Sequence, residues 1–443
     1  MTIFALSSGP GTSGIAVIRI SGPEASFVIK KLTKKSIPKP RVATLRKINY
    51  INTSELIDEA MILWFPGPES YTGEDLAEIH VHGSKTVVEA IHSSISKIKN
   101  CRLAEPGEFT KIAFQNGKIN LLKAESIGDL IASETEIQRK QAVQIMNGKS
   151  AERFNSLREK LLKILSHIEA KIDFPDEDLP SNILKNIKKS SYDVIQNLEK
   201  ILNDQKIGER IRDGFKIAIV GPPNAGKSSL LNYLANRDAA IVSETAGTTR
   251  DVVEVHLNID GYPVIMSDTA GIRESRNEIE RKGIKLSINR AEDADLKLVV
   301  IDAKNVEFTD LLLNLVKNDS ILVVNKSDLI EGAETTDFKK FDHILVSIKN
   351  NINLDNLISK IKDHLKNKFI SSEDILITRA RHRQHLEKCL EHLKSFNEKN
   401  EIEDFDKAAE DLRLATRNLG MIVGKVDVEE LLGSIFNDFC IGK

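Results

Sequence analysis

Gly221 to Ser228, GPPNAGKS, completes the pattern G-x-x-x-x-G-K-S between the apolar stretch FKIAIV and the helix-like SLLNYLA. Its glycines let successive backbone N–H groups converge on phosphate oxygens at a helix start. Lys227 then reaches the terminal phosphates, and the Ser228 hydroxyl can ligate Mg²⁺. Asn224, Ala225, Gly226 and Ser229 sit in the same turn and join the nucleotide contacts. Asp268-Thr269-Ala270-Gly271 closes the stretch YPVIMS, which brings a carboxylate beside the metal and a flexible glycine to where a third phosphate would be sensed. Asn325-Lys326-Ser327-Asp328 follows ILVV and addresses the base. An Asp carboxylate accepts two hydrogen bonds from the imino and amino groups of guanine, whereas adenine offers a mismatched edge and leaves buried polar groups unpaired. Ser347-Ile348-Lys349, after HILV, can bring a backbone N–H to the guanine keto oxygen. Together the motifs imply GTP rather than ATP.

The residue after DTAG is Ile272, so the glutamine that positions water in Ras-like enzymes is missing and hydrolysis needs another arrangement. Asn224 and the segment IVSETAGTTR supply oxygens near the phosphates. Within that segment Ser243, Glu244, Thr245, Ala246, Gly247, Thr248 and Thr249 belong to the nucleotide contacts, and the hydroxyls of Ser243, Thr245, Thr248 and Thr249 can ligate cations. The plain alternative for so many hydroxyls is a solvated, turn-rich loop.

These motifs need strands that end at them. FKIAIV, VVEVHLNI, YPVIMSD, LKLVVID, ILVVN and HILVS alternate with helical stretches, the rhythm of a mostly parallel sheet with helices on both faces. Upstream, SGIAVIRISG and AEIHVHGS alternate as strands of an α+β domain, and from about Leu121 apolar residues recur at helical spacing. Helical texture resumes after about Ser371. The fold class expected is therefore multidomain: an N-terminal α+β domain, a helical domain, and an inserted P-loop GTPase domain. We place an N-terminal domain at 1–118, a first helical part at 119–210, the inserted domain at 211–370 and a second helical part at 371–443.

The chain has 443 residues, which at about 150 per domain is consistent with roughly three domains. Its 63 Lys+Arg against 65 Asp+Glu leave a formal net charge of -2, which excludes a histone-like cation and confines any nucleic-acid contact to a local patch. Cys101, Cys389 and Cys440 are far apart and fit a reducing compartment. The apolar runs fall short of the ~20 residues of a membrane span, and MTIFALSSGPG has no basic stretch, so neither a membrane helix nor a signal or transit peptide is expected. The expected location is cytoplasmic.

The order GPPNAGKSS, AGTTRD, DTAG and NKSD, nested in a helical region, resembles the tRNA modification GTPase family MnmE, also called TrmE. Cys440-Ile441-Gly442-Lys443 matches that family's C-terminal signature, while LAEPGEFTKIAF and NGKINLLKAESIGDLI look like its N-terminal domain and the start of its helical domain. The likeness spans essentially the whole chain. It implies a homodimer with a folate-binding, dimerising N-terminal domain. It also implies an FAD-dependent partner of the glucose-inhibited division type, joined in a heterotetramer. The work implied is installation of a carboxymethylaminomethyl or aminomethyl group on the wobble uridine of tRNA, with a reduced folate (a tetrahydrofolate derivative) as one-carbon donor. In that picture GTP hydrolysis drives a conformational cycle and is activated by K⁺.

The resemblance carries over by residue. Asn224 would bind K⁺ with Ser243, Thr245 and Thr248, Ser228 and Thr249 would hold Mg²⁺, and Glu280 of SRNEIERKG would orient the hydrolytic water. The catalytic set implied is Glu280, Asn224, Lys227 and Cys440, the last read either as a group handling the one-carbon unit or as a small residue at a packed chain end. The folate site would use Arg19, Glu78, Lys118 and Lys443. Ile112 stands where the family usually has Arg, Asn120 where it has Asp, and Ser84 in place of the second Gly of HGG, all near that site.

Three other groupings carry two readings each. His385, Cys389 and His392 share a helix face that is either a metal site or a structural stripe, and His80 and His82 share one side of a strand. Arg379, Arg381 and Arg383 with His382 and His385 are either a tRNA phosphate contact or partners of acids such as Glu373 and Asp374. Two rival functions also stand at this stage. One is a ribosome-assembly or signalling GTPase switch with no part in nucleoside chemistry. The other is a folate-dependent aminomethyl transferase with a regulatory G domain.

Overall fold

Alternation in the first strands decides which side chains face the core and which are left to do chemistry. In the computed structural model, which describes residues 1–173, 183–237, 254–268, 291–305, 310–316, 319–330, 341–368, 375–399, 405–426, 432, 435–436 and 439–442, the chain forms two compact units. One gathers residues 1–128, 145–195 and 388–443, and the other 129–144 and 196–387.

The first unit holds β1 (Thr2–Leu6), β2 (Ser13–Ser21), β3 (Thr44–Asn49), β4 (Leu56–Phe65), β5 (Leu76–Gly83) and β6 (Cys101–Leu103), in the order β3-β4-β5-β2-β1-β6. On β2, Ala16, Ile18 and Ile20 are buried with Val28, Ile29 and Leu32 of the helix Ala25–Thr33 and Ile91 and Ile95 of the helix Lys85–Ser96. The period of two then sends Arg19 to the opposite face. Antiparallel register places Arg19 across from Glu78 of β5, so two charges fifty-odd residues apart in sequence meet as a cross-strand pair.

In the same unit the helix Lys149–Asp173 packs against the helix Phe405–Val423. Phe154, Leu157, Leu161, Ile164 and Ile168 are buried at alternating three- and four-residue spacing, as are Ala408, Leu412, Ala415, Leu419 and Ile422. Two such stripes interlock along an antiparallel seam. Arg413 pairs with Glu169 at 2.8 Å, while Gly420 lies beside Arg158, which fixes that direction.

The helical stretch from Leu121 is broken into the helices Leu121–Ile131, Glu136–Met146 and Lys149–Asp173. The second begins at a capping box: Thr135 Oγ1 accepts from Gln138 N at 3.3 Å, and Gln138 Oε1 accepts from Thr135 N at 3.0 Å.

The second unit holds β7 (Phe215–Val220), β8 (Glu254–Ile259), β9 (Tyr262–Asp268), β10 (Leu296–Asp302), β11 (Ser320–Asn325) and β12 (His343–Leu345), in the order β12-β11-β10-β7-β9-β8. Every neighbouring pair is parallel except β8 with β9. Both faces are covered. Ile217, Ile219, Leu298 and Val300 pack under the helices Lys227–Arg237 and Leu354–Lys368 on one side, and Ala218, Val220, Val299 and Ile301 pack with Leu315 on the other. The chain leaves β7 toward β9 and later returns to lay β10 on its other side, so the strand order reverses between β7 and β10. Ligands of doubly wound sheets bind at the carboxyl ends of strands beside such a reversal. The α+β domain, the helices and the mostly parallel sheet are the fold class read from the sequence.

Candidate functional site

At the carboxyl end of β7 the chain turns sharply at Gly221 and enters the helix Lys227–Arg237. Gly221 has φ +149°, and a Cβ there would stand 2.0 Å from Val300 O of the adjacent β10. Gly226 has φ +102°, and its Cβ would stand 2.2 Å from Asn325 Nδ2. Both approaches need glycine, one to pack the turn on the sheet and the other to let the loop after β11 close over it.

A cleft of about 660 Å³ opens between this turn and the loops after β11 and β12. That volume suits a nucleotide-sized ligand. Asn224, Gly226, Lys227, Ser228, Ser229, Asn325, Lys326, Asp328 and Ser347 line it, so these sequence-expected residues come together, with Ala225 buried just behind. Lys227 is 7% exposed and donates to Pro222 O at 2.9 Å. Asn224 is exposed and left-handed at φ +61°.

The loops after β11 and β12 are knit to the glycine-rich turn by Asn325. Asn325 Nδ2 donates to Ala225 O at 2.8 Å, and Asn325 Oδ1 accepts from Ile348 N at 3.2 Å. Ser347 N donates to Ile352 O at 3.1 Å, so Ser347 contributes through its hydroxyl, which donates to Asp328 Oδ1 at 2.5 Å. A residue not singled out from the sequence enters here. Asp302, at the end of β10, pairs with Lys326 Nζ at 2.6 Å. Burial pushes its carboxyl upward, but the Lys326 ammonium and the Lys304 N–H outweigh that and hold it below the usual carboxylate range. Its signal was the strand register, which sets Asp302 beside Asn325 and which no motif encodes.

Asp268 ends β9 in register with Ile219 of β7, which places its backbone at the phosphate end of the sheet. Ser243, Glu244, Thr245, Ala246, Gly247, Thr248, Thr249, Thr269, Ala270, Gly271, Glu280 and Lys443 lie outside the described residues.

In the first unit Arg19 donates to Glu78 Oε1 from Nε at 3.2 Å and from Nη2 at 2.9 Å, and His80 Nε2 lies 3.4 Å from Glu78 Oε2. The guanidinium lies over the Tyr71 ring at 5.4 Å and the Phe109 ring at 5.7 Å. The stretch after Tyr71 also meets the loop that carries Lys118: Asn116 Nδ2 donates to Thr72 O at 2.7 Å, and Lys118 runs beside Gly73. Cys440 is exposed, and its carbonyl accepts from Gly107 N at 3.4 Å, at the start of the helix Glu108–Gln115 that supplies Phe109. Arg19, Glu78, Lys118 and the tail at Cys440 are therefore joined through Tyr71 to Gly73 and through Phe109.

Two of the clustered arginines, and Cys389, have structural surroundings on view. Arg383 Nη2 pairs with Asp204 at 2.6 Å and Glu209 at 2.7 Å, and Arg379 Nη2 pairs with Asp129 at 2.6 Å. Glu373 and Asp374, the acids named from the sequence, lie outside the described residues. Cys389 is fully buried in line with Leu386, Leu393 and Phe396, and burial pushes its thiol far up. Among the described residues no three His, Cys, Asp or Glu side chains are grouped to hold a metal.

Residues 2–118 match the family model described as the GTP-binding protein TrmE N-terminus, and residues 121–440 match the one described as the MnmE helical domain. The tRNA modification GTPase MnmE of Pelagibacter ubique (strain HTCC1062) is 74% identical over 443 residues, covering 100% of each chain. That of Rickettsia bellii (strain RML369-C) is 47% identical over 446 residues, again across 100% of both. Among solved structures, an Era variant from Aquifex aeolicus bound to GDP and aluminium fluoride is 27% identical, covers 42% of this chain and 68% of that one, and has a TM-score of 0.28.

Proposed function

The chain belongs to the tRNA modification GTPase family MnmE (TrmE), and from that membership we propose that it runs a K⁺-activated cycle of GTP hydrolysis serving modification of the wobble uridine of tRNA. The observation that carries the nucleotide half is the Ser347–Asp328 pair facing the same cleft as Lys227 and Ser228. One end reads a guanine edge while the other holds phosphates. A nearly buried ammonium needs acceptors, and the Pro222 carbonyl beside Lys227 marks where phosphate oxygens would take over that role.

Of the residues that would hold the family's ions, Ser228 and Asn224 line the cleft and offer a hydroxyl at the helix start and an exposed side-chain amide. In the family's arrangement Ser228 with Thr249 would hold Mg²⁺, and Asn224 with Ser243, Thr245 and Thr248 would hold K⁺. Bound there, the cations would offset charge growing on the phosphates, the service an arginine finger gives elsewhere. Lys227 would neutralise the terminal phosphates, Asp268 would serve the metal, Glu280 would orient water, and Asn325 keeps the two halves of the cleft in register.

The cluster of Arg19, Glu78, Tyr71 and Phe109 has the flat faces and charges that a pterin ring and a carboxylate tail call for, with Lys118 and Lys443 as further cations and Cys440 at the tail. We read it as the site of a reduced folate. The organisation that goes with this function is the one set out above: 1–118 for folate and dimerisation, 211–370 for the nucleotide, and 119–210 with 371–443 as one helical domain. The partners would be a second copy of this chain, an FAD-dependent protein of the glucose-inhibited division type in a heterotetramer, and tRNA. No helix among the described residues is long and apolar enough to cross a membrane, and the cytoplasm is the location that suits these partners.

Nucleoside analysis of tRNA from cells lacking the protein tests this. Loss of the modified wobble uridine is expected. An unchanged nucleoside profile would favour a GTPase switch without a part in that chemistry.

A further inference from the structure

Lys326 is a demanding position for a lysine. Its backbone is left-handed at φ +63°, and its side chain lines the cleft. Among the described residues a carboxylate holds its ammonium. Asp302 Oδ2 holds Lys326 Nζ at 2.6 Å, while Asp302 Oδ1 accepts from Lys304 N at 3.0 Å, so the carboxylate is oriented from both sides. The tether is built into the sheet: Asp302 and Asn325 are register partners on parallel β10 and β11, and Ala303 N donates to Asn325 O at 2.9 Å. Lys326 and Asp302 are 34% and 20% exposed, which keeps the pair partly screened from water.

We propose that Asp302 is a positioning residue of the base pocket: by tethering Lys326 Nζ it holds the lysine's methylene stem as a wall against the flat face of a purine. This rests on the guanine-nucleotide reading above and adds a division of labour to it. Asp328 reads the edge of the base and is held by Ser347, whereas Lys326, held by Asp302, covers the face. Face contacts ignore the 2-amino group that distinguishes guanine from hypoxanthine, so the two tethers have separable effects.

The test is titration of the full-length protein with fluorescent GDP, IDP and ADP. Asp302→Asn should weaken GDP about tenfold, in keeping with loss of a charge-assisted hydrogen bond, and weaken IDP by the same factor, with kcat at saturating GTP within about twofold of the parent. In a Lys326→Met background, which keeps an apolar stem and removes the ammonium, Asp302→Asn should change nothing further. A wild-type protein without preference for GDP over ADP would overturn the guanine reading itself. With that preference intact, unaltered GDP affinity in Asp302→Asn, or a penalty that persists in the Lys326→Met background, would overturn the assignment of Asp302 alone. Asp302→Ser is read in the same way where the amide variant does not fold.

Discussion

Ser347 Oγ donates to Asp328 Oδ1 at 2.5 Å, so the carboxylate we propose for the base edge is oriented by a side chain from the next loop. Ser347→Ala should therefore weaken GDP binding about fivefold through lost orientation, since a hydrogen bond of this kind contributes roughly 1 kcal/mol. Asp328→Asn should do more and change kind as well as strength, shifting preference from guanine toward xanthine nucleotides. Competition between GDP and XDP measures both, and unaltered selectivity in Asp328→Asn would remove this residue from the base pocket.

Gly226→Ala puts a methyl group where Asn325 Nδ2 now lies, at a φ that side chains rarely adopt. Nucleotide affinity should fall at least about tenfold, because the bond from Asn325 to Ala225 O must break for the methyl to fit. Equilibrium binding of GDP checks this, and affinity equal to the parent would mean that the two halves of the cleft are not coupled through Asn325.

GTP turnover should rise when Na⁺ is replaced by K⁺, and Asn224→Ala should erase the difference. Glu280→Ala should leave nucleotide affinity nearly intact and slow hydrolysis. Steady-state phosphate release in the two salts tests the first, with equal rates in the parent protein counting against a K⁺ site. Single-turnover rates test the second.

Arg383→Met should lower the melting temperature sharply, by the equivalent of about 3–5 kcal/mol, because it leaves Asp204 and Glu209 facing one another at a site where all three side chains are largely buried. Calorimetry measures it. A variant as stable as the parent would mean that solvent relaxes around the acids.

Of the three cysteines, Cys440 is exposed and Cys389 is buried, and burial raises the Cys389 thiol so that its thiolate is scarce at neutral pH. Thiol reagents should label Cys440 in the folded protein and Cys389 only after denaturant is added. Mass spectrometry of labelled peptides would show the order, and early labelling at Cys389 would contradict the packing of that helix.

The nucleotide cleft was legible because its parts are local. GPPNAGKS and NKSD each follow an apolar strand, and the ends of those strands lie at one edge of a parallel sheet. Asp302 escaped notice because its role depends on register between β10 and β11, a relation between distant residues that periodicity does not record. The partners of two arginines are hidden for a related reason. Arg379, Arg381 and Arg383 look like a basic patch when read along the chain, yet the acids that meet Arg379 and Arg383 come from Asp129, Asp204 and Glu209, far upstream. Arg19 and Glu78 were reached only through resemblance, although the alternation of β2 and β5 does place them opposite each other on the face away from the core of Val28 and Ile91.

Ser7 Oγ donates to Gly442 O at 2.7 Å in a buried bond that joins residues 435 positions apart, and Gly442 lies so close that a Cβ would stand 2.1 Å from Leu6 O. During synthesis the strand around Leu6 is made early and must wait for nearly everything else before this clasp can close. The first unit thus stays unfinished until residue 442 is made, and a bulky fusion directly after Gly442 should loosen the region around Phe109.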